Sequence, residues 1–229
     1  MKQFDVVIFV AHPDDAFIGA GGLILKCRGN GLSVLVVTMT KGENQNSNTT
    51  TRSIEFNTSI EYCKICGEQM EYPDGKLKFH PEEICESIYH LLWDINPKII
   101  ITHSCNDPHS DHRAVYEAVD TAAELLFHTL GEECHLDYLL SFPPIRLTFE
   151  SIRNFSPSVL VDVTNYIESK VSAVLLHSSQ MPFLKRNLDK NIALCHFYGA
   201  LESCEYVEGY TCKKYKGLEI DENTIFSYK

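Results

Sequence analysis

Imidazole and carboxylate groups are concentrated in two short segments of the sequence, 11–15 (AHPDD) and 107–112 (DPHSDH). Each segment contains a pair of such side chains three residues apart: His12 and Asp15, and His109 and His112. Where a strand turns into a helix, that spacing brings both side chains of a pair close to one point. Two imidazoles and one carboxylate with an open fourth position are typical ligands of a catalytic zinc ion. The two segments therefore predict a metal site if the fold brings them together.

Both segments directly follow runs that have the pattern of buried strands. Phe4–Val10 and Lys98–Thr102 are apolar and β-branched without alternation, as in parallel strands covered on both faces, and Ser33–Thr40 is similar. Helical patterns separate these runs, which predicts right-handed βαβ units in a mostly parallel sheet. Because ligands of open α/β sheets bind beyond the carboxyl ends of the strands, both segments are expected at the functional edge.

The whole chain, residues 1–229, fits one α/β domain with helices on both faces of the sheet. Helices are predicted over 14–29, 51–66, 81–93, 109–130, 167–178 and 184–196, and a polar loop over 41–50. Further short strands are predicted at Leu136–Phe142, Leu147–Glu150, Leu160–Asp162 and Tyr206–Tyr210. The pattern is less regular beyond Glu132, which predicts a small β-rich excursion in the C-terminal half.

The composition narrows the class of protein. The chain has 20 Lys and Arg against 31 Asp and Glu, a net charge of −11, and no basic stripe, which excludes a nucleic-acid binder. No apolar run reaches the ~18–20 residues that span a bilayer, so no membrane span is expected. No signal peptide precedes the first strand, and the nine scattered cysteines are typical of reduced thiols. A cytoplasmic protein is therefore expected.

Each candidate side chain also has a purely structural explanation. Asp14 and Asp15 are the kind of acids that favour a helix N-terminus, and His109 and His112 would fit partly exposed helix positions. Together the four groups favour a site, because a helix cap needs one acid rather than two acids and a histidine. His103, at the end of the predicted strand 98–102, is an alternative ligand without a partner acid.

Three motifs resemble the LmbE/PIG-L family of metal-dependent N-deacetylases: AHPDD followed by GAGG, then PHSDHRAV, and HSSQ at 177–180. The resemblance extends from residue 4 to about residue 125, and more thinly to residue 210. The family includes enzymes that remove acetyl groups from N-acetylglucosaminyl lipids and from N-acetylglucosaminyl precursors of thiol cofactors. The resemblance implies a Rossmann-like fold, in agreement with the predicted βαβ units.

The resemblance also implies a role for each residue of the two metal-site motifs. The implied metal ligands are His12, Asp15 and His112. The metal is usually zinc in this family, although other divalent ions accept two histidines and one aspartate. Asp14 is implied as the general base, and His109 as the cation that stabilises the tetrahedral intermediate, with Asp111 orienting it.

Substrate contacts are implied for Arg52, His177 and Gln180. Two structural alternatives stay open: an exposed ion pair of Arg52 with Glu55, and a polar pair at a helix end for the other two residues. The sequence departs from the family pattern at Ala16, where the family usually has Glu. If a hydrogen bond next to the metal site is missing for that reason, restoring Glu is expected to raise the rate.

The residues and the resemblance together predict a zinc-dependent hydrolase that removes the N-acetyl group from an N-acetylglucosamine-type amino sugar or a small conjugate. The partner is thus a small molecule. The sequence leaves the oligomeric state open between a monomer and the homo-oligomers that family members often form. A metal-binding or regulatory protein without turnover would leave Asp14 and His109 unexplained. A metal phosphoesterase usually gathers more carboxylates for two ions. A dinucleotide-binding oxidoreductase fits least, because Gly19–Gly22 lies within a helix and not directly after the strand.

Overall fold

The computed structural model describes residues 3–43 and 49–215, which form a seven-stranded sheet with helices on both faces. The strands are Val6–Val10 (β1), Val34–Thr38 (β2), Cys66–Gln69 (β3), Ile99–Thr102 (β4), Tyr138–Ser141 (β5), Val159–Asp162 (β6) and Val207–Lys214 (β7). Their order across the sheet is β3-β2-β1-β4-β5-β7-β6. Strands β1 to β5 are parallel, whereas β7 is antiparallel to both β5 and β6.

The helices divide into two layers, one on each face of the sheet. They are Asp15–Gly29 (α1), Thr49–Cys63 (α2), Pro81–Ile95 (α3), Ser110–Leu130 (α4), Phe149–Arg153 (α5), Ile167–Leu175 (α6) and Phe183–Leu201 (α7). In β1, Val6 and Ile8 pack with α1, α2, α6 and α7, whereas Val7 and Phe9 pack with α3 and α4. All five β1 residues are buried, because each face of this central strand is covered. None of the described helices combines the length and the apolar character needed to cross a bilayer.

The structure confirms the mostly parallel α/β sheet and corrects three local predictions. Segment 147–150, predicted as a strand, includes the start of α5, because the Thr148 hydroxyl accepts a hydrogen bond from Ser151 N and caps a helix. Strand β3 was not predicted, since its sequence CGEQ has no apolar run. The predicted loop 41–50 ends early, because α2 begins at Thr49, and residues 44–48 lie outside the described residues. The β-rich C-terminal half is the antiparallel end of the same sheet.

Helix α1 is kinked at Ala20, whose φ of −138° interrupts the helical backbone. The kink frees backbone N–H groups in the middle of the helix, and the Glu208 carboxylate accepts hydrogen bonds from Gly22 N (2.9 Å) and Leu23 N (2.8 Å). A Cβ atom at residue 22 would lie 2.9 Å from Glu208 Oε1. The glycine-rich segment 19–22 therefore permits close packing of the helix.

Candidate active site

The two predicted motifs meet at one edge of the sheet. Strands β1 and β4 are parallel neighbours, so the segments that follow them, 11–14 and 103–109, begin at the same edge. Next to them lies a cavity of about 590 Å³. Seven of the predicted site residues line this cavity: His12, Asp14, Asp15, Arg52, His109, His112 and Gln180.

The three predicted metal ligands lie in mutual contact. His12 Nδ1 is 3.0 Å from Asp15 Oδ2, and His112 Nε2 is 3.3 Å from each of these two atoms. Tetrahedral zinc with nitrogen and oxygen ligands at about 2.0–2.1 Å separates its ligand atoms by roughly 3.3 Å. Both the spacing and the donor types therefore fit a zinc ion.

The electrostatics of the three ligands are also those of a cation site. Burial disfavours charge on both rings, but the Asp15 carboxylate outweighs it and raises the pKa of His12 to about 10 and that of His112 to about 9. Burial also opposes ionisation of Asp15, yet the two imidazoles hold the pKa of its carboxyl well below the usual range. Protons on the two rings thus balance the buried carboxylate, and a divalent cation would compete for the same lone pairs.

Two carboxylates that were not predicted hold the outer nitrogens of the ligand histidines. Asp74 Oδ1 lies 3.0 Å from His12 Nε2, and Asp107 Oδ2 lies 3.0 Å from His112 Nδ1. Such carboxylate–histidine contacts fix the ring orientation and leave the inner nitrogen free to bind a metal. Asp107 also accepts a hydrogen bond from His109 N. Its place in the second motif was a usable signal, whereas nothing in the sequence relates Asp74 to His12.

The alternative ligand His103 has a supporting position. Its Nε2 lies 3.5 Å from Asp15 Oδ2, but accepts a hydrogen bond from Ala11 N at 2.9 Å, which occupies the lone pair that a metal would need. Its ring stacks on that of His112 with 4.0 Å between centroids. Burial and the nearby His112 hold its pKa well below the usual range, so the ring is neutral. His103 therefore packs beneath the ligands.

Arg52 is paired with the residue predicted to be the base. Its Nη2 donates to Asp14 Oδ1 at 2.9 Å and its Nη1 donates to Gly42 O at 3.0 Å. Gly42 has a φ of 71°, and a Cβ atom there would lie 2.1 Å from the guanidinium, so only glycine fits. The alternative ion pair with Glu55 is wrong, because that carboxylate accepts hydrogen bonds from Ser179 instead.

His109 caps helix α4 in a way that determines its tautomer. Its Nδ1 accepts a hydrogen bond from Asp111 N at 3.3 Å, so a neutral ring carries its proton on Nε2. Burial and the neighbouring His112 lower the pKa of His109, whereas the resemblance implies a cation at this position. Asp111 contacts His109 through its backbone N–H, whereas its carboxylate accepts a hydrogen bond from Gly75 N at 2.7 Å.

The two residues of the HSSQ motif occupy different environments. Gln180 lines the cavity. His177 does not line it: the side chain is fully buried, with Nε2 3.1 Å from Ser59 Oγ and its ring packed near Phe17. His177 therefore does not reach the cavity to make the predicted substrate contact, and its side chain packs below the cavity instead.

Comparison with known proteins places the chain in a family. The family model described as "PIG-L: GlcNAc-PI de-N-acetylase" matches residues 7–123, which is half of the chain and includes both metal-site motifs. The chain belongs to this family. PIG-L family membership makes it a metal-dependent deacetylase, in agreement with the resemblance seen in the sequence.

Individual relatives are distant in sequence and close in fold. The Escherichia coli K12 protein described as the uncharacterized deacetylase YaiS is 23% identical over 187 residues, covering 78% of this chain and 92% of YaiS. The N,N'-diacetylchitobiose deacetylase of Pyrococcus horikoshii is 21% identical with a TM-score of 0.77, covering 96% of this chain and 88% of that chain. GalB of Pseudomonas putida KT2440, a 4-carboxy-2-hydroxymuconate hydratase, is 17% identical with a TM-score of 0.75, covering 96% and 99%. Because both a deacetylase and a hydratase share the fold, the fold alone does not determine the reaction.

Ala16 is where the chain departs from the usual PIG-L pattern. The residue is fully buried in the apolar cluster that includes Phe17 and Val10. Position 16 therefore belongs to the core and does not line the cavity.

Proposed function

We propose that this protein uses a zinc ion to remove the N-acetyl group from an N-acetylglucosamine-type amino sugar or a small conjugate of one. The observation that carries the proposal is the contact of three ligand atoms with zinc-like spacing beside a separate carboxylate, Asp14, that is held by Arg52. The cavity volume of about 590 Å³ is that of a small-molecule site. Because segments from 12 to 187 line it, we infer that residues 1–229 work as one domain.

His12 Nδ1, Asp15 Oδ2 and His112 Nε2 would hold the ion. When bound, it supplies Lewis acidity, which acidifies water and polarises the carbonyl of the amide. Asp74 and Asp107 hold the outer nitrogens of the two rings, so that both rings keep their inner nitrogens directed at one point.

Asp14 is assigned the movement of the proton. The guanidinium of Arg52 occupies Oδ1 and fixes the orientation of the carboxylate, which leaves Oδ2 to take a proton from water and pass it to the departing amine. Because Arg52 also donates to Gly42 O, its guanidinium is held at two points. Arg52 thus acts on substrate turnover through Asp14 in addition to lining the cavity.

His109 is assigned the stabilisation of negative charge on the amide oxygen. With Nδ1 engaged by Asp111 N, its Nε2–H is the free donor, and a single such donor is typically worth ~3–4 kcal/mol in the transition state. The side chain of Gln180 adds a polar group at the cavity wall for a substrate hydroxyl.

The rival functions have weaker support from the same geometry. A second ion, as in a phosphoesterase, would need His12 Nε2 together with Asp74 and Asp111, which lie within ligand distance of one another. A neutral imidazole has only one lone pair, and the proposed site uses it at Nδ1. A binding protein without turnover would have no use for the buried Arg52–Asp14 pair.

Release of free amine from a panel of N-acetylglucosaminyl compounds by the zinc-loaded protein tests the proposal, with elemental analysis of every variant. Asp14→Asn should keep about one metal ion and the fold while losing roughly 10²–10⁴-fold in turnover. Asp15→Asn should lose metal, because an amide oxygen replaces a ligand carboxylate. If Asp14→Asn is metal-free and Asp15→Asn keeps its metal, then Asp14 is the metal ligand and Asp15 moves the proton. Absence of amine release from every compound by the loaded wild type would refute the proposed function.

A further inference from the structure

A buried carboxylate on α2 holds the short helical turn Ser178–Gln180, which forms part of the cavity wall. The Glu55 side chain accepts three hydrogen bonds from this turn: from Ser178 Oγ at 3.1 Å, from Ser179 N at 2.7 Å and from Ser179 Oγ at 2.6 Å. Glu55 is only 7% exposed, and an O–H donor at 2.6 Å is typical of a strong bond to an ionised carboxylate. Glu55 therefore fixes the position of the turn relative to α2.

The same contacts determine the direction in which the Ser179 hydroxyl donates. A carboxylate offers only acceptors, so the single hydrogen of the hydroxyl is donated to Glu55 Oε2. The Ser179 oxygen is then left as an acceptor, and it accepts a hydrogen bond from Gln180 Nε2 at 3.1 Å. The amide nitrogen of Gln180 is thus directed toward Ser179 by a chain of hydrogen bonds that starts at Glu55.

The orientation of the Gln180 amide determines which substrate group this part of the wall binds. Because the nitrogen is engaged by Ser179 Oγ, the Oε1 atom is available as an acceptor at the cavity. A carbonyl oxygen binds a donor such as a hydroxyl, whereas an amide nitrogen binds an acceptor. Rotation of the amide by half a turn would exchange these two groups and reverse the preference.

We propose that Glu55 is a positioning residue that makes Gln180 the acceptor for one hydroxyl group of the substrate. The inference rests on the proposed function, and it adds the polarity of one contact between the enzyme and the amino sugar. Glu55 does not line the cavity and acts through Ser179.

The charge of Glu55 is required because an amide at position 55 would reverse the chain of hydrogen bonds. Its oxygen would accept from Ser179 N, so its nitrogen would take the place of Oε2 and donate to Ser179 Oγ. The hydroxyl hydrogen of Ser179 would then be donated to Gln180 Oε1. The amide of Gln180 would turn accordingly and present its nitrogen to the substrate.

Deoxyfluoro analogues of the methyl glycoside of N-acetylglucosamine test this contact, because fluorine removes the donor of a hydroxyl with little change in size. Each free hydroxyl is replaced in turn, and release of amine by the zinc-loaded protein is measured. We expect one analogue to have a kcat/KM about 10-fold below that of the parent compound, mainly through KM, because one hydrogen bond is lost. Gln180→Ala identifies the hydroxyl concerned, since the penalty for its replacement should disappear in this variant.

Glu55→Gln should also lose this penalty while keeping about one metal ion, because it does not alter the metal ligands. Ser179→Ala should have the same effect, since it removes the link between Glu55 and Gln180. Its backbone N–H still donates to Glu55, so this variant decides the question if Glu55→Gln does not fold. As a matched control, Glu61→Gln removes an exposed acid of the same helix outside the cavity and should keep the wild-type penalty.

The inference is refuted if the wild type shows no penalty that Gln180→Ala removes, or if that penalty persists in a folded Glu55→Gln or Ser179→Ala. A purely structural role of Glu55 would lower kcat/KM for all the compounds by the same factor, which also refutes the inference.

A failure of the proposed function gives a different result, namely no amine from the parent compound or any analogue. Calorimetric binding of the same compounds then still tests the contact. Weaker binding of one fluoro analogue than of the parent by the wild type, but not by Ser179→Ala, supports the inference, and the same difference in both proteins refutes it.

Discussion

Asp14 and Asp15 are adjacent and chemically identical, yet the structure gives them different environments. Asp14 contacts the guanidinium of Arg52, whereas Asp15 contacts the imidazoles of His12 and His112. The Asp14 carboxylate thus lies next to the proposed ion, whereas the Asp15 carboxylate is positioned to bind it. Asp74 and Asp107 likewise do not contact the proposed ion. They contact the outer nitrogens of the His12 and His112 rings.

Metal binding should release protons. With pKa values of about 10 for His12 and about 9 for His112, both rings are protonated in the metal-free protein at pH 7, and a metal must displace about two protons. The apparent metal affinity should therefore rise steeply as the pH increases from 6 to about 9. Zinc titrations by calorimetry in buffers of different ionisation enthalpy measure the number released. Release of almost no protons at pH 7 would contradict the assigned ring contacts. As a control, His90→Ala, at an exposed position, should release the same number of protons as the wild type.

Restoring the usual family acid at position 16 should destabilise the protein rather than raise its rate. The Ala16 side chain is fully buried in an apolar cluster, so a carboxylate there would be desolvated, at a cost of at least about 3 kcal/mol. Urea unfolding of Ala16→Glu measures the loss, with Ala193→Glu at an exposed position of α7 as control. A stable and more active Ala16→Glu would show that a partner for the acid exists.

At the scale of elements, the kinked helix α1 connects the site to a buried ion pair. Its first half begins with Asp15, and its second half begins at N–H groups that Glu208 caps. Lys170 Nζ lies 2.7 Å from Glu208 Oε1 and both side chains are buried. The Glu208 carboxylate outweighs the effect of burial and raises the pKa of Lys170, so Lys170 keeps its positive charge.

Breaking this pair on one side should be costly. Lys170→Met leaves a buried carboxylate without its cation, and the expected loss is about 3–5 kcal/mol of the free energy of unfolding. The double variant Lys170→Met/Glu208→Gln should recover part of it, because the amide oxygen still accepts from Gly22 N or Leu23 N. Urea unfolding of the wild type, Lys170→Met, Glu208→Gln and the double variant gives the coupling energy. As a control, Lys185→Met breaks the exposed pair with Asp189 and should cost below about 1 kcal/mol of the free energy of unfolding. If Lys170→Met and Lys185→Met lose similar amounts, burial does not decide the strength of the pair.

At the scale of the whole molecule, the two halves of the chain contribute different parts of the cavity. The half matched by the family model provides all three proposed metal ligands, and the remainder provides the wall with Arg146 and Asn187. The cavity is therefore complete only when both parts of the chain are folded together.

Metal removal should lower the thermal stability of the entire chain. An ion that binds only the folded state at 100 times its Kd adds about 2.7 kcal/mol, which is roughly 5–10 °C in Tm for a protein of this size. Differential scanning calorimetry before and after a chelator, and after zinc is restored, measures the effect. Asp15→Asn should show no response to zinc. An unchanged Tm in the wild type would mean that the three ligands do not hold an ion in the folded protein.

The sequence by itself predicted most of the sheet and placed the three proposed metal ligands in two short motifs. Buried strands such as Val6–Val10 are recognisable because their apolar pattern is local, and the HPDD and PHSDH segments are recognisable because their chemistry lies within six residues. The order of strands and helices then predicts that both segments share one edge. Prediction failed where the local pattern is weak, as in strand β3, whose four residues are held by pairing with β2.

Only the tertiary structure decided which side chains support the ligands and which face the cavity. Asp74 is 62 residues from His12 along the chain, so no local pattern indicates their contact. His177 and Gln180 are only three residues apart, yet His177 packs in the core and Gln180 lines the cavity. Arg146 and Asn187 come from separate elements that meet only when α7 packs beside the segment before α5. Residue types and spacing determine the chemistry that is available, whereas burial and long-range contacts determine how it is used.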